Sequence, residues 1–137
     1  MNHIEKSREL GLDPSEYVLI GGSVLDIHGI RTSDDMDVVV SKKAFQELKD
    51  RGWQVDEEFT KRWGRERLKH DVFEVFTEVS WEHMNYLLPF EAMRDIAKSI
   101  NGVNVQPLGM LLLGKRDNGR PKDFEDCVLI EKYLGII

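Results

Sequence analysis

The chain has 137 residues, 41% hydrophobic and 32% charged, enough for one packed core under a solvated surface and short for two domains. Its 25 acidic and 19 basic side chains give a formal charge of −6, which excludes a protein that coats nucleic acid through many phosphate contacts. A single cysteine, Cys127, excludes a disulfide framework and a cysteine-based zinc site.

In chain order, Ile4 to Leu12 reads as a short helix closed by Gly11 and the Asp13-Pro14 turn. Tyr17 to Ile20 is a compact apolar run, expected as a buried strand ending at Gly21-Gly22. Ser23 is expected to cap a short helix that Gly29 stops. Met36 to Val40 reads as a second strand, and Ser41 caps a helix to Arg51 with Ala44, Phe45 and Leu48 inward. The segment holding Lys61, Arg62, Arg65, Arg67 and Lys69 is expected as a polar, basic loop, followed by a strand from Val72 to Val79. Pro89 to Ile100 reads as a helix with Phe90, Met93, Ile96 and Ala97 inward, and Val103 to Val105 as a short hairpin-edge strand. Pro107 opens a helix to Lys115. The last helix runs from Lys122 to Leu134, with Phe124, Cys127, Val128, Ile130 and Leu134 at helical spacing. The expected class is α/β (α+β), a small mixed sheet packed with helices. The N-terminus has no apolar signal core and no apolar run reaches membrane-spanning length, so a cytoplasmic location without membrane contact is expected.

The chemistry concentrates between Ile20 and Val40. Residues two apart in a strand project from one face, so Asp35 and Asp37 point the same way while Met36 and Val38 point into a core. Two adjacent carboxylates raise each other's pKa unless a cation sits between them. Hard oxygen donors of this kind suit Mg²⁺ or Mn²⁺ alongside substrate phosphates. Alone, the Asp pair fits a solvated acidic turn better than a metal site. Gly21-Gly22-Ser23, following a strand and opening a helix, lets backbone approach a phosphate and presents free N–H groups. Alone, it fits an ordinary strand-to-helix turn.

Together, an apolar residue, Gly21-Gly22-Ser23, a short spacer and Asp35-Met36-Asp37 in an apolar strand resemble the signature of the DNA-polymerase-β-like nucleotidyltransferase superfamily. His28-Gly29-Ile30-Arg31-Thr32 resembles its minimal nucleotidyltransferases and the related toxin–antitoxin and abortive-infection enzymes. The stretch from Lys115 to Asp126 is similar to their closing segment, and the likeness runs from Tyr17 to Leu134.

The resemblance implies one minimal nucleotidyltransferase domain over residues 1–137, in which Asp35 and Asp37 bind Mg²⁺ or Mn²⁺. It also implies a third carboxylate on a neighbouring strand. Glu74 is preferred, because a charge inside Val72-Phe73-Glu74-Val75-Phe76 is costly without a partner. Asp71, at the polar end of that strand, is the alternative. Gly21, Gly22 and Ser23 are then expected to hold the phosphates of ATP or another nucleoside triphosphate. Arg31 reaches a phosphate or orients a carboxylate, and Lys115 and Arg120 neutralise the leaving pyrophosphate. Lys122-Asp123 and Asp126 read equally well as a structural ion-pair network. His28 and the tryptophans Trp53, Trp63 and Trp81 read as packing groups.

The implied reaction moves a nucleoside monophosphate, AMP from ATP foremost, to a hydroxyl of a protein, an RNA end or a small molecule. On so short a chain, acceptor recognition falls to the basic segment, a partner protein or a homo-oligomer. The alternative is a non-catalytic partner or antitoxin that keeps the fold and binds another protein. No lysine follows Glu74 as a metal-dependent nuclease would place one, and the chain is short for a nucleotide-sugar glycosyltransferase.

Overall fold

Strands of purely apolar sequence belong where both faces of a sheet are covered, and the computed structural model, which describes residues 1–137, places them there. β1 (Tyr17–Ile20) and β2 (Met36–Val40) pair antiparallel at the centre, with Ile20 opposite Asp37. β3 (Gln54–Val55), β4 (Leu68–His70) and β5 (Phe73–Phe76) extend one side. β8 (Lys98–Ile100) and β9 (Val103–Val105) extend the other. The seven-stranded order is β3-β4-β5-β2-β1-β9-β8. β2 and β5 run parallel, as do β1 and β9, so the sheet is mixed and the class is α+β.

The period-2 alternation assigns the faces. Leu19, Met36, Val38, Val40, Phe73 and Val75 join the larger core. That face is covered by α1 (His3–Ser7), α2 (Gly22–Ile27), α3 (Lys42–Asp50), and parts of α6 (Leu108–Asn118) and α7 (Pro121–Leu134). Val18 and Val39 join the smaller core on the opposite face, beneath α5 (Phe90–Ile96) and a separate hairpin of β6 (Glu78–Trp81) and β7 (Tyr86–Pro89). That hairpin lies flush on α6 because Gly114 has no side chain: a Cβ there would meet Trp81 Nε1 at 2.8 Å. α3 starts as its sequence dictates, with Ser41 Oγ accepting from the Ala44 N–H and Ala44, Phe45 and Leu48 buried.

Five expectations are corrected. The basic segment is not a loop: it holds α4 (Glu57–Trp63) and β4. The strand expected from Val72 to Val79 ends at Phe76, and Glu78 starts the separate hairpin. The helix after Pro89 stops at Ile96, which is exposed, and Lys98–Ile100 becomes the sheet edge, leaving β9 inside the sheet. Ser23 does not cap α2. Gly21 stands at that position, and Ser23 lies one residue inside the helix, fully buried. On α7, Cys127 and Ile130 are buried, but Phe124, Val128 and Leu134 face out. No helix is long and apolar enough to cross a membrane.

Candidate functional site

Two glycines let the turn after β1 close onto β2. Gly21 has φ +63° and ψ −137°, a conformation that disfavours any side chain, and a Cβ there would lie 2.8 Å from Asp37 Oδ2. At Gly22 a Cβ would lie 2.6 Å from Ser33 Oγ. The Gly21 N–H donates to Gln106 Oε1 at 3.1 Å, which ties the turn to the end of β9. The backbone of this turn therefore passes directly over the first acidic strand.

Register does the rest. Asp37 on β2 pairs with Glu74 on β5, and alternation puts both side chains on the same face. Asp37 is half-buried, Glu74 is half-buried, and Asp35 is exposed just before the strand. Burial pushes the Asp37 carboxyl up to about 7, the neighbouring Glu74 adds to this by charge and hydrogen bond, and Asp35 adds less. Arg67 pulls the other way. Its Nη1 lies 3.2 Å from Glu74 Oε2, while Nε and Nη2 donate to Asp56 Oδ2 at 3.0 and 2.7 Å. The same guanidinium lies 4.5 Å from the centre of the Phe59 ring.

Asp71, the alternative third carboxylate, is elsewhere. It is exposed, paired with Lys6 Nζ at 2.7 Å, and held below its ordinary value by that hydrogen bond. Glu74 is the carboxylate beside Asp37.

The cations divide. Arg31 Nε and Nη2 donate to Asp126 at 2.6 and 2.8 Å. Lys115, almost fully buried, contacts Asp126 at 2.8 Å and Asp123 at 3.5 Å. Arg120 Nε donates to Asp123 Oδ2 at 2.7 Å, and its own backbone N–H donates to the same oxygen at 3.2 Å. This chain of ion pairs anchors α7 to α6 and to the loop before β2. Burial pushes Asp126 up, but hydrogen bonds from Arg31 and Lys115 outweigh it and hold its pKa at about 2. All three cations expected at a nucleotide are thus paired with buried carboxylates; of them Arg120, paired with Asp123, is the exposed one and lies close enough to Asp37 for the two charges to attract. Ser23 is also committed: its hydroxyl lies 2.7 Å from His3 Nδ1 and faces the interior, not a ligand.

A cleft of about 710 Å³ collects Gly21, Gly22, Asp35, Asp37, Glu74, Lys115 and Arg120 in one wall system. A second groove of about 750 Å³ adjoins it, sharing Asp37, Arg67 and Arg120 and running on past Phe59, Arg62 and Trp63. Compared with known proteins, the chain matches no family model, no curated protein and no solved structure.

The arrangement can bind a cation. Two like charges adjacent in register, one with its pKa raised through repulsion and burial, form a hard oxygen pair that a divalent ion would relieve. No three His, Cys, Asp or Glu side chains already converge at metal-ligand spacing, so Asp35 completes such a site only by turning toward the pair. The donor chemistry fits Mg²⁺ or Mn²⁺.

Arg67, Gln106 and His3 went unread in the sequence. Arg67 lay within a basic run that reads as a solvated face, although its position five residues after Arg62 and two from β4's exposed Lys69 carried no further signal. Gln106 and His3 act across 85 and 20 positions, and neither leaves a local mark. Trp53 and Trp81 pack as expected, Trp53 stacked on His70 and Trp81 buried, whereas Trp63 is exposed at the groove.

Proposed function

We propose that the protein is a nucleotidyltransferase-fold enzyme that moves a nucleoside monophosphate from a nucleoside triphosphate, foremost AMP from ATP, to an acceptor hydroxyl with divalent-metal help. The observation that carries this reading is the Asp37–Glu74 pair. Two repelling carboxylates lie side by side under a double-glycine turn, with Asp37 pushed up to about 7. Asp126 meets two cations at 2.6 and 2.8 Å, whereas no cation pairs with Asp37; Arg67 and Lys69 reach only its neighbour Glu74, at 3.2 and 3.9 Å.

Asp35, Asp37 and Glu74 are the residues that would hold Mg²⁺ or Mn²⁺. When bound, the ion supplies Lewis-acid charge to the reacting phosphate and draws a triphosphate into place. The Gly21-Gly22 turn lets phosphate oxygens approach backbone that any side chain would block. The exposed guanidinium of Arg120 and the exposed Lys122, both in the cleft wall, offset charge on the departing pyrophosphate. The acceptor hydroxyl oxygen attacks the α-phosphorus, and the bond from that phosphorus to the β-phosphate oxygen breaks. The hydroxyl proton passes to the Glu74 carboxylate. The adjoining groove past Phe59, Arg62 and Trp63 reaches Asp37, and is where an acceptor would lie.

The non-catalytic partner reading is the second one, and α7 favours it. Phe124, Val128 and Tyr133 are 56%, 47% and 54% exposed along that helix, more apolar surface than one face of a self-sufficient chain needs. Calorimetric titration of each nucleoside triphosphate, with and without Mg²⁺, separates the two. The enzyme reading expects Mg²⁺-dependent binding that the double variant Asp35→Ala, Asp37→Ala loses. Absence of binding under every metal condition would overturn it in favour of the partner reading.

A further inference from the structure

We infer that His3 is a positioning residue that holds the glycine turn and the strand of Asp35 and Asp37 at their working separation; the inference rests on the nucleotide-transfer reading above. His3 opens α1, far from the cleft in sequence, and its side chain is wholly buried. Both ring nitrogens are used. Nδ1 lies 2.7 Å from Ser23 Oγ, one residue past the glycine turn. Nε2 lies 2.9 Å from the carbonyl oxygen of Ser33 and 3.2 Å from Asp26 Oδ2. With the proton on Nε2, the ring donates to Ser33 and Asp26, and Nδ1 accepts from the Ser23 hydroxyl; this tautomer is assigned from the partners. Asp26 Oδ2 in turn accepts from the Ser33 N–H at 2.8 Å.

One imidazole therefore joins three segments: α1, the first turn of α2 and the loop that leads into β2. Ser33 is the hinge between the last two. Its hydroxyl donates to the Asp35 carbonyl oxygen at 3.1 Å and stands where a Cβ on Gly22 would be. Freeing Ser33 would loosen the glycine turn and Asp35 together. Ser23, His3 and Asp26 share the residue types of a hydrolytic triad, but Ser23 and His3 are closed off from solvent, so no substrate reaches the hydroxyl. Their chemistry is that of a tie. A buried polar cluster with every partner satisfied specifies one arrangement of the chain around it.

His3→Gln and His3→Asn separate the two halves of the tie. Asn places its amide where Nδ1 was and keeps only Ser23, whereas Gln reaches Ser33 and Asp26. Ile4→Ala, the next residue on α1 and part of the core without a polar contact to either loop, controls for general loosening. Two readouts are taken on folded protein, checked by circular dichroism: amide hydrogen exchange from Ser33 to Met36 in the free protein, and affinity for Mg²⁺·ATP. The tie predicts that His3→Asn speeds exchange of the Ser33 amide at least tenfold and weakens Mg²⁺·ATP binding at least tenfold. His3→Gln stays near wild type in both, and Ile4→Ala lowers the melting temperature without either effect. Unchanged exchange in His3→Asn, or equal losses in His3→Asn and Ile4→Ala, would overturn the inference. Wild-type protein that binds no Mg²⁺·ATP would overturn the nucleotide reading instead, and the exchange readout stands apart from that result.

Discussion

Two acidic centres are built on opposite plans, Asp37 on the cleft wall and Asp126 buried behind Arg31 and Lys115, which line the same cleft. At Asp126 the carboxylate meets Arg31 through two hydrogen bonds and Lys115 at 2.8 Å, and its pKa falls to about 2. At Asp37 the adjacent charged group is another carboxylate, Arg67 and Lys69 pair with that neighbour at 3.2 and 3.9 Å and not with Asp37, and the pKa climbs to about 7. Asp126 is buried and Asp37 half-buried, so exposure to water does not explain why Asp126 is the one held low. The difference is whether the chain itself supplies the counter-charge. Where it does, the group is part of the scaffold; where it stops short, the carboxylate keeps a raised pKa, as the proposed metal-binding role requires.

The comparison breaks first, and hardest, at Asp126. Asp126→Ala leaves Lys115 buried with only Asp123 at 3.5 Å, and a broken buried pair costs about 3–5 kcal/mol. Chemical denaturation of the variant should show that loss, and a loss under 1 kcal/mol would put the scaffold role elsewhere. Next is Gly21→Ala. The new methyl meets Asp37 Oδ2 on backbone that disfavours a side chain, a cost of about 2 kcal/mol, with Mg²⁺·ATP binding lost by calorimetry. Gly52→Ala, also at positive φ but with open space around the new methyl, should keep wild-type binding.

A pH titration of stability sharpens the contrast. Asp126 has a folded pKa of about 2 against 3.8 unfolded, so its stabilisation is complete above about pH 4 and is lost as the pH falls toward 2. Integrated, this amounts to about 2 kcal/mol, visible as a steep acid limb that Asp126→Asn lacks. Asp37 has the opposite sign. Its folded pKa lies above the unfolded 3.8, so the folded form is favoured below about pH 4 and loses ground as the pH rises through 7. Asp37→Asn should therefore gain stability over the wild type at pH 8 and little at pH 4. A variant equally destabilised at both pH values would mean that Asp37, like Asp126, belongs to the scaffold.

The central sheet was legible because its pattern is local. Tyr17–Ile20 and Met36–Val40 are short apolar runs between turn residues, and Ser41 sits where the next helix needs a cap. Glu74 was legible for a similar reason, as a charge in an apolar strand that asks for a partner. The segment from Gln54 to His70 was not. α4 buries none of its residues and β4 buries only Leu68, so neither carries the periodicity that signals an element. The break at Thr77 was equally hidden, since strand-favouring residues, Val75, Phe76, Thr77 and Val79, continue across the point where the chain leaves one sheet for the hairpin. Arg31 and Lys115 read as phosphate ligands because a cation near acidic residues shows its charge and hides its partner. Asp126 lies 95 positions from Arg31, a pairing that only the fold reveals.

The most direct test is a carboxyl-carbon NMR titration of Asp37, without metal and then with Mg²⁺·ATP. The account predicts a midpoint near 7 in the free protein, falling well below that when Mg²⁺·ATP is added and the counter-charge arrives. A midpoint near the ordinary value of an aspartate, unmoved by Mg²⁺·ATP, would contradict it.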